Sequence, residues 1–125
     1  MTLEEELVAL LADDAAVTAA VSDRIWPVMI RVNPVFPAIT YNREGGEREY
    51  ALDASVVRRR VVVTVRGWAQ TYPAARELME TVATALDRVV TDGVQVATVR
   101  DGADMYIEAL NVFGCTLVVE LEQWP

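Results

Sequence analysis

The run from Val57 to Ala69 constrains this chain more than any other segment. It is rich in valine, contains no proline, and alternates with a period of two, the pattern of a β-strand. Arg59, Val61, Val63 and Val65 share one face, and Arg58, Arg60, Val62, Thr64, Arg66 and Trp68 share the other. The first face is apolar beyond Arg59 and the second is mixed. A strand of this kind belongs in a sheet covered on one side only. The segment from Asn111 to Gln123 repeats the pattern: Phe113, Cys115, Leu117, Val119 and Leu121 alternate with Val112, Thr116, Val118, Glu120, Glu122 and Trp124.

Helical spacing appears in two places. Leu3, Leu7, Leu10 and Leu11 follow Thr2 and Glu5, which form a capping box; a helix is expected from Thr2 to about Ala12. Asp13 or Asp14 can cap a second short helix through Val21. Thr71-Tyr72-Pro73 opens a third, with Ala75, Leu78, Met79, Val82, Leu86 and Val89 as its apolar stripe and Asp92-Gly93 as its stop. Shorter strands are expected at Val28–Ile30, on an edge, at 38–43 and at 94–100, with pairing resumed at Met105–Ile107. Asp101-Gly102 reads as a tight turn. The polar stretch Glu44 to Ser55 reads as a projecting loop or the tip of an extended hairpin. Helices, strands, helix, strands, in that order, predict a single α+β domain: an antiparallel sheet with helices packed on one face.

The residue inventory narrows the chemistry. Among 125 residues there is no histidine and no lysine, and Cys115 is the only cysteine. A Ser-His-Asp or Cys-His nucleophile is thereby excluded, as is a zinc site built from several Cys or His ligands. Gly45-Gly46 lacks the companions of a phosphate loop. Asp101 with Asp104, or Glu44 with Glu47, could hold a hard cation, but solvated loop carboxylates account for them as well. No cofactor is expected. The acidic N-terminus does not resemble a signal peptide, and no apolar run approaches the roughly 20 residues of a membrane span, so a soluble protein of the cytoplasm is expected. The net charge of -8 argues against a general phosphate-binding surface.

The one basic run, Arg58-Arg59-Arg60, divides between two faces of a strand. It can pair across a hairpin with Glu47, Glu49 and Asp53, meet an acidic surface on a neighbour, or contact DNA. Trp26, Trp68 and Trp124 stand at or near strand ends, where tryptophan serves either core packing or interfaces.

Several segments together resemble the phage tail terminator, or tail completion, family. They are the helix Leu3 to Ala12, Val21-Ser22-Asp23-Arg24-Ile25-Trp26-Pro27, Phe36-Pro37-Ala38-Ile39-Thr40-Tyr41, the strand ending Gly67-Trp68-Ala69, Thr71-Tyr72 with Ala74-Ala75-Arg76, and the closing strand with Trp124. The resemblance implies a non-catalytic virion subunit, a minor tail protein at the head–tail junction that is assembled in the host cytoplasm or carried by a prophage or gene-transfer particle. It implies a homo-oligomeric ring, typically a hexamer, whose partners are the tail tube protein and the head connector or stopper, with DNA passing through the lumen unbound. A head–tail connector and a small ligand- or protein-binding domain are the alternative readings. The expected interface residues are Arg58, Arg59, Arg60 and Arg66 against an acidic loop bearing Glu44, Glu47, Glu49 and Asp53, with Trp124 as a further contact.

Overall fold

In the computed structural model the described residues are 2–32, 34–53, 55–87, 89–91 and 94–123. Three helices, α1 (Leu3–Asp13), α2 (Ala15–Val21) and α3 (Tyr72–Leu86), accompany seven strands. The strands are β1 (Ile25–Pro27), β2 (Ala38–Tyr50), β3 (Val56–Ala69), β4 (Val90–Thr91), β5 (Val94–Asp101), β6 (Met105–Ile107) and β7 (Val112–Gln123). They form one sheet in the order β1-β2-β3-β7-β5-β4, and β6 also pairs with β7. Every pairing is antiparallel except β1 with β2 at the edge. The fold is therefore the α+β arrangement expected, with one parallel pair added.

Local chemistry starts each helix. Thr2 Oγ1 accepts from the Glu5 amide at 3.2 Å, Asp14 Oδ1 accepts from the Ala16 and Val17 amides at 3.0 Å, and Thr71 Oγ1 accepts from the Ala74 amide at 3.3 Å. Each bond satisfies an amide that the first helical turn leaves free. Leu3, Leu7 and Leu11 of α1, Val17 and Val21 of α2, and Ala75, Leu78, Met79, Val82 and Leu86 of α3 are all buried. They meet Val61, Val63 and Val65 of β3 and Cys115, Leu117, Val119 and Leu121 of β7 in one core. Burial of each leucine contributes about 2 kcal/mol. Gly67 lets α3 close on the sheet: a Cβ there would collide with the Met79 sulfur and stand 2.9 Å from Leu78 Cδ2.

Four expectations are corrected. The edge strand is Ile25–Pro27, not Val28–Ile30; the chain turns at Val28, whose φ is 65°. Helix α3 ends at Leu86, where Asp87 is extended. Val89 still contacts the core, but the β-branched residues after it pair with β5 through Val90 and Thr91. The expected stop at Asp92-Gly93 lies outside the described residues. Residues 44–50 are strand rather than loop, because β2 continues to Tyr50 with a bulge between Arg43 and Gly45. The hairpin reading of this segment holds, with its turn after Tyr50. Asp101-Gly102 does not reverse the chain. Asp101 pairs with Leu117 and Met105 with Gly114, so β5 and β6 run in line along one edge of β7. Residues 102–104 form a bulge between them, and the Gly102 amide donates to the Thr116 carbonyl at 2.8 Å.

No helix among the described residues is long and apolar enough to cross a membrane.

Candidate functional site: the open face of the sheet

The helices cover one face of the sheet. The other carries the mixed residues of β3 and β7, and it divides into a charged end and an apolar end.

The charged end lies beside the β2–β3 turn. Register places Glu47, Arg60 and Glu122 in one row across β2, β3 and β7, with Glu49 opposite Arg58 in the next. Glu122 Oε1 accepts from Arg60 Nη2 at 2.9 Å and lies 3.6 Å from Arg58 Nη1. Glu49 is 3.0 Å from Arg58, and Glu47 is 3.6 Å from Arg60. Glu122 is largely buried, and its hydrogen bond pushes the Arg60 guanidinium above its ordinary pKa. Opposite charges directly across a ladder stabilise strand pairing, so this row adds to the pairing of β2, β3 and β7.

The expected site residues are thus brought together in part. Arg58 and Arg60 meet Glu49 and Glu47 within the chain, joined by Glu122, which sequence reasoning did not single out. The signal for it was present in the alternation: Glu120 and Glu122 fall on the same face of β7 as the polar face of β3. Asp53 turns to its own loop, where Oδ1 accepts from the Ser55 hydroxyl at 2.6 Å and the Ser55 amide at 3.0 Å. These bonds hold its pKa below the ordinary range. Glu44 accepts from Thr64 at 2.7 Å and from Asn42 at 3.2 Å, with the same effect on its pKa. Arg59 points to the helix side, directly opposite Arg48. Trp124 lies outside the described residues.

The carboxylates considered for a cation are engaged elsewhere. Asp104 accepts from the Tyr72 hydroxyl at 2.6 Å and from Arg76 at 3.4 Å, and the Tyr72 bond foremost lowers its pKa. Asp101 stands 4.0 Å from Arg76. Among the described residues, no three His, Cys, Asp or Glu side chains cluster to hold a metal. Burial pushes the Cys115 thiol up in pKa, as expected of a core residue.

The apolar end lies at the far end of β3. The Trp68 indole spans three strands: Nε1 donates to Thr40 Oγ1 of β2 at 2.8 Å, while the six-membered ring covers Gly114 of β7. Around it, Met29 and Ile30 from the segment after β1, Met105 and Ile107 from β6, and Leu110 from the following turn wall a cleft of about 390 Å³. Val28 and Met29 are each 70% exposed. Arg66 is the ionic residue of the lining. Its Nη1 donates to Asn42 at 3.0 Å, and its buried Nε has no partner among the described residues. Trp68 was visible in the sequence as a packing or interface tryptophan. The rest of the cleft was not, since four separate segments build it.

A family model described as tail completion protein gp17 matches residues 5–104. The chain belongs to the tail completion family. It is a structural component of a phage-type tail, as the sequence resemblance implied. Among solved structures, it is similar to a chain of the virion of a native gene transfer agent particle. The TM-score is 0.65 at 15% identity, covering 98% of this chain and 95% of that one. That likeness shows a common fold over nearly the whole length. No curated protein matches the sequence.

Proposed function

We propose that this family member is a non-catalytic tail terminator: subunits form a ring that caps the tail tube, stops its polymerisation and joins the tail to the head connector. The family match over residues 5–104 carries this reading. The surface supports it. A ring of identical subunits needs two different patches on each copy, one complementary to the other, and the hairpin tip with its exposed Leu52 and Tyr50 and the apolar cleft around Trp68 offer two such patches. The ring is taken as a hexamer on the family resemblance. Its neighbours are the tail tube protein on one side and the connector on the other. The net charge of -8 leaves DNA free to slide through the lumen.

The test is deletion of the gene followed by electron microscopy of the particles. Overlong tubes without heads are expected. Tails of normal length beside unjoined heads would instead make the chain a connector of the same particle.

A further inference from the structure

We infer that the β2–β3 hairpin tip of one copy seats in the Trp68 cleft of the next. This rests on the ring reading above and names the contact that holds the ring.

The tip offers a knob. Leu52 is 110% exposed and Tyr50 58% exposed, at the end of a hairpin whose last rung, Tyr50 with Val56, lies beyond the final β3–β7 pair, Arg59 with Gln123. A fully exposed leucine flanked by an exposed tyrosine is a surface that gains by burial, in proportion to the apolar area removed from water. The cleft offers the matching hole, with an indole floor and methionine walls that adapt to an incoming side chain.

The two surfaces cannot meet within one copy. Val56 stands at the tip and Trp68 in the cleft, separated by roughly 40 Å of strand at the usual rise per residue. Contact therefore has to run from one subunit to another, and knob-to-hole contact is heterologous, the type that closes rings.

Charge points to the same pairing. Arg58 and Arg60 are already matched to Glu49, Glu47 and Glu122. Arg66 makes no ion pair among the described residues, and it lines the cleft; its Nε is buried without a partner, as is that of Arg60. Asp53 sits one residue from Leu52 at the tip. Seating Leu52 in the cleft brings that carboxylate, whose Oδ1 is held by Ser55, toward the arginine, where its second oxygen can accept a charge-assisted hydrogen bond. The backbone at Val28 agrees. A β-branched residue at φ 65° is strained, and here Val28 and Met29 stand exposed at the cleft rim.

The experiment places Leu52→Cys and Leu110→Cys in one chain and treats assembled tails with a short bis-maleimide. Cys115 is fully buried and does not compete. A ladder of covalent multimers ending at the ring's copy number is expected from the double variant, and single chains from either variant alone. Leu52→Asp, on the exposed tip, should leave the subunit's thermal unfolding unchanged while the chain disappears from tails. If tails carry the full complement of the double variant and give no ladder, or if Leu52→Asp enters tails normally, the contact is wrong and the ring stands. A product joining this chain to the tube protein likewise overturns the contact between copies. A single copy per tail overturns the ring itself.

Discussion

Gly114→Ala is the sharpest probe of the open face. A Cβ at Gly114 would stand 2.6 Å from Trp68 Cζ3, 2.8 Å from Cε3 and 3.0 Å from Met105 Cγ. Carbon atoms in contact prefer 3.5–4.0 Å, so the indole has to move. Trp68 is only 5% exposed and tied to Thr40 at 2.8 Å. Displacing it costs roughly 1–3 kcal/mol of overpacking and about 1 kcal/mol for the broken hydrogen bond. The sum, about 2–4 kcal/mol, lowers Tm by about 10 °C for a chain of this size. Thermal unfolding followed by circular dichroism measures the shift. The Trp68 indole N–H resonance reports whether the bond to Thr40 is lost. Trp68→Phe in the Gly114→Ala background removes the clashing ring, so the two substitutions together should cost less than their sum. A Tm change under about 2 °C with an unmoved indole resonance would refute the account, because a ring that tolerates the methyl does not lie across Gly114.

Other perturbations read other parts of the molecule. Glu122→Gln leaves Arg58 and Arg60 without their shared carboxylate; Tm should fall, and the deficit should shrink with added salt as the two guanidiniums are screened. Arg48→Glu replaces a like-charge pair, Arg48 opposite Arg59, with an opposite one. It should stabilise the isolated subunit by about 0.5 kcal/mol, measured by denaturant titration. In acid, the subunit should lose stability as pH falls through the ordinary carboxylate range near 4 and below. Glu4, held down in pKa foremost by Arg43, and Asp104, held down foremost by Tyr72, bind protons more readily unfolded than folded. Their contribution is present above the unfolded pKa and disappears below the folded one. Unfolding curves at pH 6, 4 and 3 test this, and Arg43→Gln should flatten the profile.

The sequence made the faces legible and left the partners hidden. Alternation in β3 and β7 is a local property with a period of two, and it assigned Val61, Val63, Val65, Leu117, Val119 and Leu121 to the core face. Helix starts were equally local: Thr2, Asp14 and Thr71 act on amides two or three residues away. The errors fall where a distant strand decides the outcome. Val89-Val90-Thr91 continues the stripe of α3 by spacing, yet an edge of β5 is available to pair with it. Asp101-Gly102 has the residues of a tight turn, yet the free edge of β7 keeps the chain running straight. The arginine run illustrates both sides. Its division between faces followed from strand geometry alone, whereas its union with Glu122 joins residues 62 apart in sequence, and local alternation carries no register.

That register also gives the open face its direction. Along the adjacent long strands β2, β3 and β7, ion pairs collect at the hairpin end and apolar side chains at the Trp68 end. The ion pairs of the hairpin are already made within the subunit, and such pairs at a surface contribute only about 0–1 kcal/mol, so they add little to a contact with a neighbour. The surface that gains most from burial is apolar, at Leu52 on one end and around Trp68 on the other. Arg58 and Arg60 pair with Glu47, Glu49 and Glu122 along the arm that carries Leu52. Under the contact proposed above, the arm's length sets the separation between tip and cleft, and with it the spacing of subunits around the ring.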